Sequence, residues 1–172
     1  MSPKMDLLLV TDAISDLLFV TEESGLRNLL NEGTDKAKVF FVGNVMIDSL
    51  EASRRLWQQS AIRETLGLHG REYGVMTLHR PSNVDREQAL KGLIGAIGEV
   101  AHRIPIVFPV HPRTRKSLEK LREQGIPHHT ESGRVGQAGI HCMDPLGYLD
   151  FMTLVAGCRI VLTDSGGIQE ET

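Results

Sequence analysis

The sequence has 172 residues, 41% of them hydrophobic and 24% charged, with a formal net charge of -3 and a pI near 6.2. That length suits one ordinary domain, or one domain plus part of another. The acidic balance excludes a general electrostatic attraction to nucleic acid or to an anionic membrane, so any phosphate must be held by local donors.

The chain opens on "MSPKMDLLLVTDAISDLLFV", an apolar stretch interrupted by Asp6, Asp12 and Asp16 and followed by no small-residue cleavage site. It reads as neither a secretory leader nor a membrane span, and a cytoplasmic location is the expectation. The two cysteines, Cys142 and Cys158, form no C-x-x-C pair and sit in apolar stretches, which fits buried thiols in a reducing compartment.

From Leu17 the pattern alternates. Leu17 to Thr21 is a short apolar run, and "EESGLRNLLNE" after it reads as a helix that Gly33 terminates. Val39 to Val42 reads as a strand that ends in Gly43-Asn44, and a long amphipathic stretch follows through Ile47, Leu50, Leu56, Trp57 and Ile62. Tyr73 to Leu78 then reads as strand, Asp85 to Ala101 as helix and Ile104 to Val110 as strand. Pro112 suits the first turn of the helix "PRTRKSLEKLREQ", which Gly125 would cap. Ile126 to Gly139 reads as a loop. Ile140 to Met143 reads as strand, Tyr148 to Ala156 as helix and Arg159 to Thr163 as the last strand. Strands alternating with helices predict an α/β fold with a parallel sheet covered on both faces. Gly43-Asn44, ahead of a long helix, is the predicted joint between two α/β halves, residues 1–44 and 45–172.

In open parallel sheets, ligands bind beyond the carboxyl ends of the strands. Reading only those ends collects His79-Arg80, His111-Pro112-Arg113, Asp144-Pro145 and Asp164-Ser165-Gly166-Gly167. Gly166 and Gly167 lack Cβ atoms, so N–H groups at a helix start could approach a phosphate there, with the Ser165 hydroxyl beside them; the same three residues also make an ordinary tight turn. His79 is either a structural hydrogen-bonder or, beside Arg80, half of a pair that holds a diphosphate and gives it a proton. His111 is either part of that edge or the N-cap of the helix opened by Pro112. Arg113 and Arg115 read equally well as solvated helix residues. His128-His129 have no carboxylate or cysteine at ligand spacing, and no metal is expected. Glu170 and Glu171 either complement a helix dipole or accept hydrogen bonds from ribose hydroxyls.

Taken together, "SDLLFVTEES", "VGNVMIDSL", "TLHRPSNVD", "PVHPRT", "DPLGYLDFMTLV" and "LTDSGGIQEE" resemble the non-hydrolysing UDP-N-acetylglucosamine 2-epimerases, in order from about Ser15 to the last residue. Many members of that family write Arg-Glu where this chain has Pro81-Ser82. The resemblance implies a GT-B-like architecture, two Rossmann-like domains facing each other, with residues 1–44 as the tail of the first and 45–172 as most of the second, UDP-binding one. It implies interconversion of UDP-N-acetylglucosamine and UDP-N-acetylmannosamine by elimination of UDP to 2-acetamidoglucal and its re-addition, in service of cell-envelope polysaccharide synthesis.

By position, the resemblance makes His79 the catalytic histidine near the diphosphate, Ser165, Gly166 and Gly167 the phosphate-binding turn, and Glu171 the ribose carboxylate. Arg80 joins the diphosphate grip, and Leu146 and Phe151 flank the uracil. The expected partner is a UDP-sugar, with no redox cofactor, and a homodimer is expected of the full-length enzyme. The family's first-domain arginine, lysine and carboxylates, and the segment that follows the closing motif, have no counterpart in the sequence, so this chain is expected to be a piece of the enzyme and inactive alone. Two alternatives are a GT-B glycosyltransferase donor half and a non-catalytic UDP-binding product.

Overall fold

The structure, a computed structural model, describes the backbone of residues 3–123, 129–130 and 133–171 and the side chains of residues 7–121 and 133–169. It divides into two units, residues 1–51 and residues 52–172.

The first unit holds helix α1 (Pro3–Ile14), strand β1 (Leu18–Val20), helix α2 (Glu23–Asn31), strand β2 (Val39–Phe41) and most of helix α3 (Val45–Trp57), which continues past the dividing point. β1 and β2 pair in parallel with Leu18 opposite Val39. Parallel neighbours require a crossover, and α2 supplies it. α2 stops because Gly33 takes φ +87°, a left-handed conformation that glycine adopts without a Cβ clash. Asp35 then starts a short 3-10 turn (Lys36–Lys38) by accepting the Ala37 N–H, and that turn leads into β2. Phe19 and Phe40, paired in register, bring their ring centroids to 5.8 Å.

The second unit is built on strands β3 (Gly74–Thr77), β4 (Ile106–Pro109), β5 (His129–Thr130), β6 (Ile140–Met143) and β7 (Ile160–Thr163). Its helices are α4 (Ile62–Thr65), α5 (Pro81–Val84), α6 (Glu87–Ala101), α7 (Pro112–Glu123), α8 (Tyr148–Gly157) and α9 (Gly166–Glu171). All five strands are parallel, in the order β5-β6-β4-β3-β7. The first three residues of β3, β4 and β6 are all buried, as expected of strands covered on both faces, while β7 begins exposed at Ile160. Met76, Ile106, Phe108 and Ile140 from the sheet pack with Leu90 and Ile94 of α6 and Leu118 and Leu121 of α7. The i, i+3 and i, i+4 spacing puts each helical pair on one face, and each such side chain contributes roughly 1.5–3 kcal/mol by leaving water. At Gly74 a Cβ would lie 2.6 Å from Ile106 Cδ1 and 3.0 Å from Ile160 Cγ2, so the missing side chain lets the isoleucines of β4 and β7 close over β3.

The strand order positions the site. From β3 the chain moves outward through β4 to the edge strand β5, steps back to β6, and returns through α8 to β7 on the other side of β3. The carboxyl ends of β3 and β7, distant in sequence, therefore lie side by side, and the crevice beyond such strand ends is where open α/β sheets bind ligands.

The expected parallel, Rossmann-like α/β fold is the one observed, with three local differences. The single amphipathic stretch from Ile47 to Ile62 breaks between α3 and α4, where the Ser60 hydroxyl accepts the Ile62 N–H and starts a new helix. Pro81 opens the four-residue helix α5, tolerated in a first turn because proline lacks only an N–H that has no partner there. The segment expected to be wholly loop contains β5, and its described end is held by Arg71, whose guanidinium donates to the carbonyls of Val135 and Gly136. Gly125 and His128 lie outside the described residues.

Candidate active site at the reversal of strand order

Leu78, His79 and Arg80 follow β3, and Asp164 and Ser165 follow β7. The Asp164 carboxylate gathers the first group around itself. It accepts the backbone N–H of His79 at 3.1 Å, the backbone N–H of Arg80 at 2.8 Å and the Asn83 side-chain amide at 3.0 Å. Its Oδ1 also lies 2.9 Å from Nδ1 of His79.

Only 7% of the Asp164 side chain is exposed, against 48% for His79. Burial pushes the Asp164 carboxyl up. The hydrogen bonds from Arg80 N–H, Asn83 and His79 N–H, together with the His79 charge, outweigh burial and hold the group below the usual carboxylate range. The result is a fixed anion that orients an imidazole, as in the acid-histidine pairs of many active sites.

Thr114 of α7 and His111, which immediately precedes that helix, serve the same edge. Thr114 is fully buried, and its hydroxyl donates to the Leu78 carbonyl at 2.8 Å, fixing the strand end that carries His79. His111 accepts the Arg113 N–H on Nδ1 at 3.2 Å, so it does cap α7. Arg113 grips Asp85 with two hydrogen bonds, 2.9 and 2.6 Å, and Arg115 reaches Asp144 at 2.5 Å. These two arginines join neighbouring loops instead of lying free in solvent. The Asp85 carboxyl is lowered, chiefly by its hydrogen bond from Arg113.

A cavity of about 250 Å³ opens at this edge. Thr77, His79, His111 and Ser165 are its polar lining, and Leu78, Pro109, Pro145, Leu146, Phe151 and Ile168 its apolar walls. Apolar walls with a few convergent polar groups are the usual make-up of a small-molecule site.

Of the residues singled out from sequence, His79, Leu146, Phe151 and Ser165 meet in this cavity. Arg80 does not line it; its N–H holds Asp164 and its side chain is exposed. Gly166 and Gly167 begin α9 next to Ser165, with open space where a Gly166 Cβ would go. Glu171 ends α9, and its side chain lies outside those described. Sequence reasoning passed over Asp164 as a partner of His79, and it did not find Asn83 or Thr114. His111 turns out to be both cap and cavity lining. Among the described residues no three metal-ligating side chains cluster, and no helix is long and apolar enough to cross a membrane.

The family model for UDP-N-acetylglucosamine 2-epimerase matches residues 9–172. The chain belongs to the UDP-N-acetylglucosamine 2-epimerase family. It is 34% identical over 168 residues to the UDP-N-acetylglucosamine 2-epimerase of Methanocaldococcus jannaschii, a match covering 94% of this chain and 44% of that one. It is also 34% identical to the UDP-2,3-diacetamido-2,3-dideoxy-D-glucuronate 2-epimerase of Pseudomonas aeruginosa, over 95% of this chain and 42% of the relative.

Among epimerase crystal structures, the Methanocaldococcus jannaschii enzyme in complex with UDP-GlcNAc and UDP matches with a TM-score of 0.75 at 33% identity, covering 95% of this chain and 44% of that one. The Neisseria meningitidis enzyme bound to UDP-GlcNAc matches with a TM-score of 0.70 at 27% identity, over 93% of this chain and 42% of that one. The chain spans less than half the length of these epimerases.

Proposed function

We propose that this chain holds the UDP moiety of a nucleotide sugar and serves the interconversion of UDP-N-acetylglucosamine and UDP-N-acetylmannosamine. The observation that carries the reading is the cavity at the β3/β7 reversal, where His79, braced by Asp164, meets Ser165, Leu146 and Phe151 in a chain of the epimerase family.

In this reading Ser165 and the N–H groups of Gly166 and Gly167 take the diphosphate, with Arg80 supplying positive charge nearby. Leu146 and Phe151 flank the uracil, and Glu171 accepts from the ribose hydroxyls. In the forward step the C2 proton leaves, the C1–O bond breaks, and its electron pair goes to the departing diphosphate oxygen, giving 2-acetamidoglucal and UDP. His79 handles that leaving group. UDP then adds back at C1 while a proton reaches C2 from the opposite face, inverting that carbon. Among the described residues the cavity lining contains no carboxylate to act as base at C2. That role is assigned to the part of the relatives that this chain does not span.

Calorimetric titration with UDP tests the reading. Saturable binding is expected, weakened about tenfold or more by Ser165→Ala, the range for a hydrogen bond to a charged group. Absence of binding, or equal binding of ADP and CDP, would sink it. The chain alone should incorporate no solvent deuterium at C2 of UDP-N-acetylglucosamine, because loss of the general base removes roughly 10²- to 10⁴-fold. The name of the Pseudomonas aeruginosa relative favours a second sugar, so the titration is repeated with the diacetamido-glucuronate nucleotide, and its tighter binding would reassign the substrate.

A further inference from the structure

We propose that the two imidazoles of the cavity are held in opposite tautomers, so that His79 offers a ligand the lone pair of its Nε2 while His111 offers an Nε2–H donor. The tautomers follow from the geometry alone. Only the identity of the ligand they meet rests on the UDP reading.

A neutral imidazole has one N–H and one lone pair, and the partner of one nitrogen decides what the other presents. Nδ1 of His79 faces Asp164 Oδ1 at 2.9 Å. An ionised carboxylate only accepts, so Nδ1 carries the hydrogen. Asp164 cannot readily turn away, since three further donors hold it and little of it is exposed.

His111 is the reverse case. Its Nδ1 lies 3.2 Å from the Arg113 nitrogen, a backbone N–H that only donates, so Nδ1 must keep its lone pair and the ring hydrogen sits on Nε2. The Arg113 N–H is one of the first-turn donors of α7 that have no carbonyl partner within the helix. Protonating Nδ1 of His111 would abolish that cap. Both rings line the cavity, and neither Nε2 makes a hydrogen bond among the described residues.

The consequence is a division of labour. His111 positions a non-bridging phosphate oxygen with a donor that stays in place whatever the ligand's protonation. His79 meets an oxygen that carries a proton, or exchanges one with it, because Asp164 stabilises the imidazolium that results. A phosphate monoester or a terminal diphosphate, whose second ionisation lies at about pH 6 and which therefore has both kinds of oxygen, is the ligand class that satisfies the pair.

Long-range proton–nitrogen correlation spectra of the ¹⁵N-labelled chain, recorded without ligand near pH 8 where an ordinary imidazole of pKa about 6.5 is neutral, test this directly. His79→Gln and His111→Gln assign the two rings by removing one pattern each. The expected result is an Nδ1–H pattern for His79 and an Nε2–H pattern for His111. The same tautomer in both, or the reverse assignment, overturns the inference. Asp164→Asn should switch His79 to Nε2–H and leave His111 unchanged; should that variant not fold, the unaltered chain's spectrum still decides. Opposite tautomers with no response to UDP support the inference and sink the UDP reading. A shared tautomer with saturable UDP binding overturns the inference and spares that reading.

Discussion

Thr163 joins both sides of the site with one oxygen: its Oγ1 lies 2.8 Å from Thr77 Oγ1 across β3 and β7, and it accepts the Ser165 N–H at 2.9 Å. The strand end under His79 and the turn that presents Ser165 are thereby fixed to each other. Thr163→Val keeps the β-branched shape that suits a strand and removes both contacts. A loss of about 1–3 kcal/mol is expected, the range for a broken hydrogen bond that leaves a donor unpaired. Thr77→Val, which leaves the Ser165 bond in place, should cost less. Urea unfolding of both variants checks this, through a lower midpoint with unchanged slope. UDP should bind more weakly to Thr163→Val than to Thr77→Val.

Thr114 acts on the same strand end from outside the cavity. Its buried hydroxyl is the donor to the Leu78 carbonyl, and a buried carbonyl deprived of its partner costs about 1–3 kcal/mol. Thr114→Val should therefore destabilise the chain and broaden the His79 resonances. Thr114→Ser, which keeps the donor, should restore the His79 signal even though it leaves a small void. Equal His79 spectra in the two variants would show that the bond does not position the histidine.

Much of this was legible in order along the chain. The bounds of β6, Ile140 to Met143, coincide with the apolar run; His79 stood out because it closes such a run ahead of polar residues, and Ser165 because it leads into the glycine pair after another. What local pattern cannot carry is which strand ends are neighbours. Asp164 meets His79 only because the chain, after laying β4, β5 and β6 on one side of β3, returns to its far side, and 85 residues separate the two. Thr114 and Leu78, 36 residues apart, are hidden for the same reason. The α3 to α4 break escaped notice because apolar spacing continues through it, while a single serine hydroxyl decides where the new helix begins.

Tyr73 gives an alkaline prediction in the core. Its hydroxyl donates to the Leu154 carbonyl at 2.7 Å. Burial pushes the phenol up to about 12, with Arg63 opposing and Cys158 adding to the rise. The folded state therefore favours the neutral phenol. The stability this supplies is complete below the unfolded value of about 10 and is lost as pH rises from there to about 12. Tyr73→Phe cannot ionise, so the stability gap between the original chain and the variant should shrink across that window. A constant gap between pH 9 and 12, followed by denaturant unfolding, would contradict the assignment. The cysteines do not confuse the comparison, since both chains carry them.

Asp164 gives the acid counterpart. Its folded pKa is depressed, so the stability it supplies is present above the unfolded carboxylate value of about 3.9 and is lost as pH falls through the lower folded value. Asp164→Asn keeps the size of the side chain but cannot accept on both sides from the N–H groups of His79 and Arg80 and the amide of Asn83. At pH 7 it should be less stable by about 1–3 kcal/mol, as for a buried donor left unpaired, and the deficit should close as the original chain is acidified below pH 4. Asp85 titrates in the same direction because of Arg113, so Asp85→Asn is the control. That pair is exposed, with side chains 42% and 52% accessible, and exposed pairs contribute little once water and salt screen them. Its acid sensitivity should therefore fade in 1 M salt, while that of Asp164, buried behind His79, should persist. Equal salt sensitivity of the two would mean that Asp164 is not the shielded anion on which the orientation of His79 depends.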